Sequence, residues 1–250
     1  MPNKNIYFQK PFTLILLFLL IWIILFQFVL KQNSFLPKPL IVYNSLSDLF
    51  NIYQLPSNFF FSVGAIVFSI LISVILIYFL RYYLLTQNFI SDLLLSIYKL
   101  KFFIPIILIG IFLIFWFPLT IYTEYIFLTI SSFIYLSGLV IKEKESLGNE
   151  YVFAVKSLAI KDKKNYAVIK FKQLLPLLGN SLTILHLKLW GILIAYEYIQ
   201  HTWGLGTIIN NSIQYRDLST LFSVSLLICL TIISGNYILK FFFNRFVHWE

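Results

Sequence analysis

The sequence predicts an all-α membrane protein with six transmembrane helices. Of its 250 residues, 60% are hydrophobic and only 12% are charged, whereas a soluble domain carries roughly 25% charged residues. A water-soluble fold of this size cannot hide so much apolar surface, so the solvent must be lipid. The apolar residues form continuous runs, whereas a transmembrane barrel would show alternating segments of about ten residues.

Six apolar runs account for the predicted spans. A helix needs about 20 apolar residues to cross the hydrocarbon core. The runs are residues 12–30, 59–80, 102–117, 125–141, 174–198 and 218–239. The first run follows two lysines, as a signal peptide does, but it is too long and no small-residue cleavage site follows it. We therefore interpret it as a retained anchor.

The distribution of basic residues predicts the orientation. Fifteen of the 19 Lys and Arg residues fall on one side of the predicted spans, eight of them between Lys142 and Lys172. Basic residues collect in cytoplasmic loops, so both termini are expected inside the cell. The same rule explains the net charge of +9 without a nucleic-acid partner. Residues 1–58 are then an anchor helix and a short external loop, and residues 59–250 are the core.

The loop at 142–175 is the longest predicted cytoplasmic segment. Its apolar residues recur at helical spacing on both sides of residues 161–164, which predicts two short amphipathic helices around a polar turn. Pro176 is expected in the first turn of the fifth span, where proline is tolerated. Such a loop either rests on anionic lipid heads or docks into a groove on another protein. The 81–101 loop is expected to be interfacial or partly helical.

Three elements of the second half resemble a known family. The segment Tyr151-Val-Phe-Ala-Val-Lys-Ser-Leu-Ala-Ile-Lys-Asp162, continuing to Leu174-Leu-Pro176, resembles the cytoplasmic loop of ABC importer permeases of the oligopeptide, dipeptide and nickel family. Glu197-Tyr-Ile-Gln-His-Thr-Trp-Gly204-Leu-Gly206 resembles that family's Glu-x-x-Phe-x-x-Pro-Gly-Leu-Gly element. Gln214-Tyr-Arg216-Asp217 resembles its Arg-Asp-Tyr element, and Asn236 falls where the family often has Asn. Order and spacing agree over about residues 120–240.

The resemblance implies the fold of a type I ABC importer permease in the bacterial cytoplasmic membrane, with both termini on the cytoplasmic side. It implies a second permease subunit as a heterodimeric partner, two ATPase subunits that hold ATP and Mg, and an extracytoplasmic substrate-binding protein. This chain would then be non-catalytic and hold no cofactor or metal. The family has two permease types that pair with each other, and Arg216-Asp217 favours the first type. The implied ATPase-coupling residues are Tyr151, Ala154, Ser157, Ala159, Lys161 and Asp162. The implied pathway or gating residues are Glu197, Trp203, Gly204 and Gly206, and Lys188 joins them because a charge at bilayer depth usually faces the protein interior or a water-filled route.

The sequence departs from the family at several of these positions. Ala159 replaces a usual glycine and Trp203 a usual proline, and the fifth span carries Lys188 where relatives have small residues. Lys188 lies about 18 Å along the helix from Pro176, near mid-membrane. It either lines a pathway or pairs with a partner subunit or a backbone carbonyl. Glu197 is half a turn away from Lys188 around the helix and is expected to reach water at the outer end.

The histidines near these charges give no metal motif. His186, His201 and Glu197 do not have a spacing typical of metal ligands. The chain also lacks a Gly-rich phosphate loop, a His-Glu-x-x-His motif and an aspartate-rich motif, so energy would come from a partner or an ion gradient. The alternatives are a secondary transporter, although no internal repeat supports it, and a non-transporting membrane assembly protein. Short peptides, nickel and metal–chelator complexes all remain open as substrates.

Overall fold

The computed structural model describes residues 17–18, 20–29, 37–100, 104–117, 120–146 and 163–246. Within these ranges the chain is helical and forms no strand. A π-helix occupies Ile24–Val29. The α-helices that follow are α1 (Pro39–Asn51), α2 (Leu55–Thr86), α3 (Asn88–Leu100), α4 (Ile106–Trp116), α5 (Ile121–Ser146), α6 (Lys163–Gln200), α7 (Leu205–Gln214) and α8 (Leu218–Phe246).

Four helices in the described part of the chain are long and apolar enough to cross a membrane. They lie within α2, α5, α6 and α8, over Leu55–Thr86, Ile121–Lys144, Ala167–Gln200 and Leu218–Phe243. These four match the second, fourth, fifth and sixth predicted spans. The outward faces of these helices carry many large exposed hydrophobic side chains, as expected where lipid replaces water. The prediction of a multi-pass helical membrane protein is thus confirmed at this level.

The third predicted span is shorter in the structure, and only part of the first lies within the described residues. The apolar helix in the first run covers Leu20–Val29 of the described residues. The third, α4, has 11 residues and rises about 17 Å, well under the roughly 30 Å of hydrocarbon. Pro105 stands immediately before α4 and has no N–H to extend a helical ladder. The number six therefore stays a prediction.

The fifth span begins earlier than predicted. Helix α6 is continuous for 38 residues from Lys163, so Lys163 and Lys164 are helical and not part of a turn. Pro176 lies inside α6 and not in its first turn. The segment before Pro176 has no glycine or proline to stop a helix, and membrane helices tolerate proline. The second amphipathic helix predicted in the loop is thus the first part of α6.

Two connections predicted as loops also contain helix. Helix α1 lies inside the predicted external loop 31–58. Pro39 starts it, at the position where proline suits a helix. Helix α3 fills most of 81–101, so the prediction of a partly helical link there is confirmed.

The described chain divides into two compact units. One unit comprises Met1–Pro56 and Ile208–Leu227, and the other comprises Ser57–Thr207 and Ile228–Glu250. In the first unit, the Trp22 ring lies 5.0 Å from that of Phe222. The hydroxyl groups of Ser45 and Ser223 are hydrogen-bonded at 2.8 Å. Aromatic contact and a hydroxyl pair thus hold this unit together.

In the second unit, α5 packs against α3 and α6, and α4 packs against both α5 and α6. Phe127 of α5 stacks on Tyr196 of α6, with 5.1 Å between ring centroids. Gly110 of α4 faces this pair, and a Cβ there would lie 2.9 Å from Phe127 and 3.0 Å from Tyr196. Small residues at helix contacts let membrane helices approach closely, since packing replaces the hydrophobic effect between them.

Candidate functional site

Glu197 is fully buried near the C-terminal end of α6, with 0% of its surface exposed. Both carboxylate oxygens accept hydrogen bonds. Ser62 Oγ of α2 donates to Oε1 at 2.5 Å, and the Gly206 backbone N–H donates to Oε2 at 2.7 Å. Hydrogen bonds to a charged acceptor are stronger than hydrogen bonds between neutral groups. This carboxylate therefore links the end of α6 to α2 and to the start of α7.

The Gly204-Leu205-Gly206 turn closes around this carboxylate. Gly204 has a φ of +95°, which L side chains rarely adopt, and a Cβ there would overlap the carboxyl group of Glu197. The Gly204 N–H donates to Asn58 Oδ1 at 2.8 Å, and the Leu205 N–H donates to Ser62 Oγ at 2.9 Å. We call Asn58, Ser62, Glu197 and residues 204–206 the Glu197 clasp.

The clasp corrects the expectation for Glu197. The sequence places this residue at the outer end of a span, where its carboxylate was expected to reach water. In the structure, the turn after α6 folds back over the side chain, so backbone N–H groups and a serine take the place of water. The predicted half-turn separation holds, because Lys188 is exposed while Glu197 is buried.

A second buried carboxyl group lies beside the clasp. Glu124, in the first turn of α5, is also 0% exposed, and it interacts electrostatically with Glu197 and Tyr196. Neither of its oxygens has a hydrogen-bond donor within the part of the chain that the structure describes. Glu124 was not among the site residues predicted from the sequence. The signal was present, as a lone acidic residue at the edge of an apolar run.

His186 has both ring nitrogens engaged. Trp190 Nε1 donates to Nε2 at 3.0 Å, so Nε2 carries no proton, and Nδ1 then donates to Asn236 Oδ1 at 3.1 Å. Gly235 lies against the ring, and a Cβ there would be 2.7 Å from Nε2. These bonds fix the imidazole in one tautomer between α6 and α8. They give Asn236, one of the residues that carry the resemblance, a structural partner.

The His186 ring borders a cavity of about 330 Å³. Apolar side chains of α2 and α8 form most of its wall, and Thr231 and Ser234 add hydroxyl groups. A second cavity of about 490 Å³ is lined by apolar residues of α5 and by Phe68. Neither cavity includes Lys188 or the clasp.

The other predicted pathway residues are peripheral to the clasp. Lys188 is exposed, and its Nζ lies 4.5 Å from the centre of the Tyr135 ring and 3.4 Å from the Tyr135 hydroxyl. Trp203 is 44% exposed, with its ring 6.3 Å from that of Phe61. His201 is exposed. The predicted coupling residues Tyr151, Ala154, Ser157, Ala159, Lys161 and Asp162 lie outside the described residues.

The Arg216-Asp217 element starts the last helix. Arg216 has a φ of +56°, and Asp217 Oδ1 accepts a bond from the Thr220 N–H at 3.0 Å, as an N-cap residue does. Asp217 Oδ2 also accepts from the Tyr53 hydroxyl at 3.4 Å. Burial, followed by the charge of Asp217, raises the pKa of Tyr53 above its ordinary value. The element therefore has a structural role at the turn before α8.

No three His, Cys, Asp or Glu residues of the described ranges are grouped so that they could hold a metal ion. No protein-family model, curated protein or solved structure matches this chain. The buried polar features of the described chain that bear on function are therefore the Glu197 clasp, the neighbouring Glu124, and His186 with its partners Trp190 and Asn236.

Proposed function

We propose that this chain is a permease subunit of an ATP-driven ABC importer that moves small peptides, nickel or a metal chelate. The Glu197 clasp carries the proposal. The resemblance depends on the order of Glu197, Gly204 and Gly206, and these residues meet around one buried carboxylate. Because the motif residues contact one another and form a structural unit, their order in the sequence supports the family resemblance better than a coincidental match would.

Helix α6 suggests how force would reach the clasp. It is continuous from Lys163 to Gln200 and rises about 57 Å, almost twice the hydrocarbon thickness. Its first turn directly follows the last predicted coupling residue, Asp162, and its last turn carries Glu197. A stiff helix can transmit a displacement of its first turns to its other end. ATP-driven closure of the ATPase subunits would thus move the clasp and open the spans outward.

A test of coupling uses bulky substitutions in the loop. Ser157→Trp and Ala159→Glu should abolish ATP-dependent uptake of labelled peptide or nickel while leaving the amount of protein in the membrane unchanged. Leu93→Trp is the matched control, because Leu93 is 48% exposed on α3 and lies in the other predicted cytoplasmic connection. Full uptake by both loop variants would refute the docking assignment.

Co-purification tests the assembly itself. The tagged full-length chain, extracted from its own membrane, should bring two ATPase subunits and a second permease with it. Capture of the chain alone, together with uptake that needs no ATP, would refute the ABC proposal.

The proposed orientation places both termini on the cytoplasmic side of the bacterial cytoplasmic membrane. Single-cysteine variants in a Cys229→Ser background test it. Asp48→Cys on α1 should react with a membrane-impermeant maleimide in intact cells, and Asp92→Cys on α3 should not. Both side chains are exposed in the structure, so access depends on the side of the membrane. The opposite labelling pattern would show that the chain has the inverted topology and would refute the proposed orientation.

A secondary transporter is the second candidate, and the buried carboxyl groups of Glu124 and Glu197 favour it. Acidic residues inside membrane spans frequently mark ion or proton routes. Uptake that follows an imposed ion gradient in liposomes containing the purified chain alone would support this candidate. Uptake that requires ATP and co-purified ATPases would exclude it.

A further inference from the structure

The carboxyl groups of Glu124 and Glu197 come together although they lie on different helices. Glu124 belongs to the first turn of α5 and Glu197 to the end of α6. Both are 0% exposed, and they interact electrostatically. Tyr196, on the same turn as Glu197, also faces Glu124, and Tyr125 adjoins it. The pair therefore occupies one polar site inside apolar helix packing.

Hydrogen bonding distinguishes the two groups. Each Glu197 oxygen already accepts a bond, from Ser62 or from the Gly206 N–H. Glu124 accepts none from the described part of the chain. The N-terminal position of Glu124 on α5 favours negative charge, but no N–H or hydroxyl group of the described residues donates to its oxygens. Among the described residues, Glu124 is thus a fully buried side chain that receives no hydrogen bond and faces a carboxylate.

Two neighbouring carboxylates that are shielded from water cannot both be charged without a cation between them. No lysine, arginine or histidine of the described ranges is among the groups that interact with either carboxyl. The smallest cation that satisfies the pair is a proton. Placed on Glu124, it converts an unpartnered acceptor into a donor to Glu197, which can accept another bond because each of its oxygens has a second lone pair.

We propose that Glu124 and Glu197 share one proton and that this carboxyl–carboxylate pair is a proton-binding site within the membrane-spanning helices. The site joins α5 to the Glu197 clasp. Loss of the proton places two negative charges side by side and drives the start of α5 away from the clasp. This inference rests on the pair alone and does not depend on which transport mechanism the chain serves.

Infrared spectroscopy of the full-length protein in lipid nanodiscs tests the site. At about pH 7 a solvated glutamate, with an ordinary pKa of about 4.3, is ionised. An infrared band from a protonated carboxyl group at this pH therefore indicates a carboxyl group that is shielded from water. The wild type should show such a band, Glu124→Gln should lose it, and Glu197→Gln should keep it at a changed frequency because the acceptor has changed. Asp92→Asn is the matched control and should keep the wild-type band.

Three outcomes would overturn the proposal. The first is the absence of a protonated carboxyl band in the wild type, and the second is an unchanged band in Glu124→Gln. The third is a wild type whose band disappears, and whose melting temperature rises, when sodium or calcium chloride is added, because a metal ion would then occupy the site. The wild-type measurements need no variant, so they can overturn the proposal even if Glu124→Gln does not fold.

Discussion

Replacing Gly206 by alanine would add one methyl group where the turn after α6 folds back on that helix. The new Cβ would lie 2.5 Å from the Ile194 carbonyl oxygen, 2.6 Å from Glu197 Cβ and 2.8 Å from the Tyr198 nitrogen. Two of these three atoms belong to the α6 backbone, which cannot rotate away as a side chain can. The start of α7 must therefore move, and the 2.7 Å bond from the Gly206 N–H to Glu197 is lost.

The two effects can be weighed against helix propensity. Overpacking costs about 1–3 kcal/mol, and loss of a hydrogen bond to a charged group costs about 1.5–3 kcal/mol. Alanine is better than glycine in a helix by about 1 kcal/mol, which offsets part of the loss. The net destabilisation should be about 2–5 kcal/mol. For a chain of 150–250 residues each kcal/mol lowers the melting temperature by about 2–4 °C, so we expect a fall on the order of 10 °C.

The assay is thermal unfolding of the purified protein in detergent, at one scan rate for all variants because membrane proteins often unfold irreversibly. Gly191→Ala is the matched control. Gly191 lies on the same helix, and a Cβ there would meet nothing within 4 Å, so this variant should be unchanged or stabilised by up to about 1 kcal/mol. If Gly206→Ala melts with Gly191→Ala, the clasp geometry argued above is wrong.

Three further predictions concern other contacts. Asp217→Ala should destabilise the protein by about 1 kcal/mol because the Thr220 N–H loses its cap, whereas Asp217→Asn should keep most of the stability in the same melting assay. Since the pKa of Tyr53 is raised in the folded state, its neutral phenol stabilises the fold below about pH 10 and the benefit is lost as pH rises through the folded-state pKa; Tyr53→Phe should lose less stability than wild type over that alkaline range, and equal losses would contradict this. Gly235→Ala should cost about 1–3 kcal/mol by displacing the His186 ring, and adding His186→Ala should remove most of that penalty if the clash is its cause.

The spans were predictable because hydrophobicity along the chain is a local property. Four of the six apolar runs correspond to helices of membrane-spanning length. The ends of the helices were less predictable. The sequence placed Pro176 at the start of a span, while the structure carries α6 through it from Lys163. Helix continuity depends on whether the freed backbone groups find other partners, and a sequence pattern does not report that.

The candidate site was predictable only in part. Glu197, Gly204 and Gly206 were named from the family resemblance, and Lys188 from its unusual position inside an apolar run. Glu124 and Ser62 were not named. They lie 73 and 135 residues before Glu197 in the chain, so no local pattern connects them. The coupling residues between 151 and 162 stay a prediction.

The sequence by itself determined that this chain belongs in lipid, because composition and apolar run length settle the choice of solvent without any tertiary contact. It also determined that Lys188 and Glu197 face opposite sides of one helix, because helical periodicity fixes that angle. Only the tertiary structure decided that Glu197 is enclosed rather than hydrated. The turn at Gly204–Gly206 and the serine of a distant helix supply its hydrogen bonds, and that substitution of protein for water depends on contacts between segments far apart in the chain.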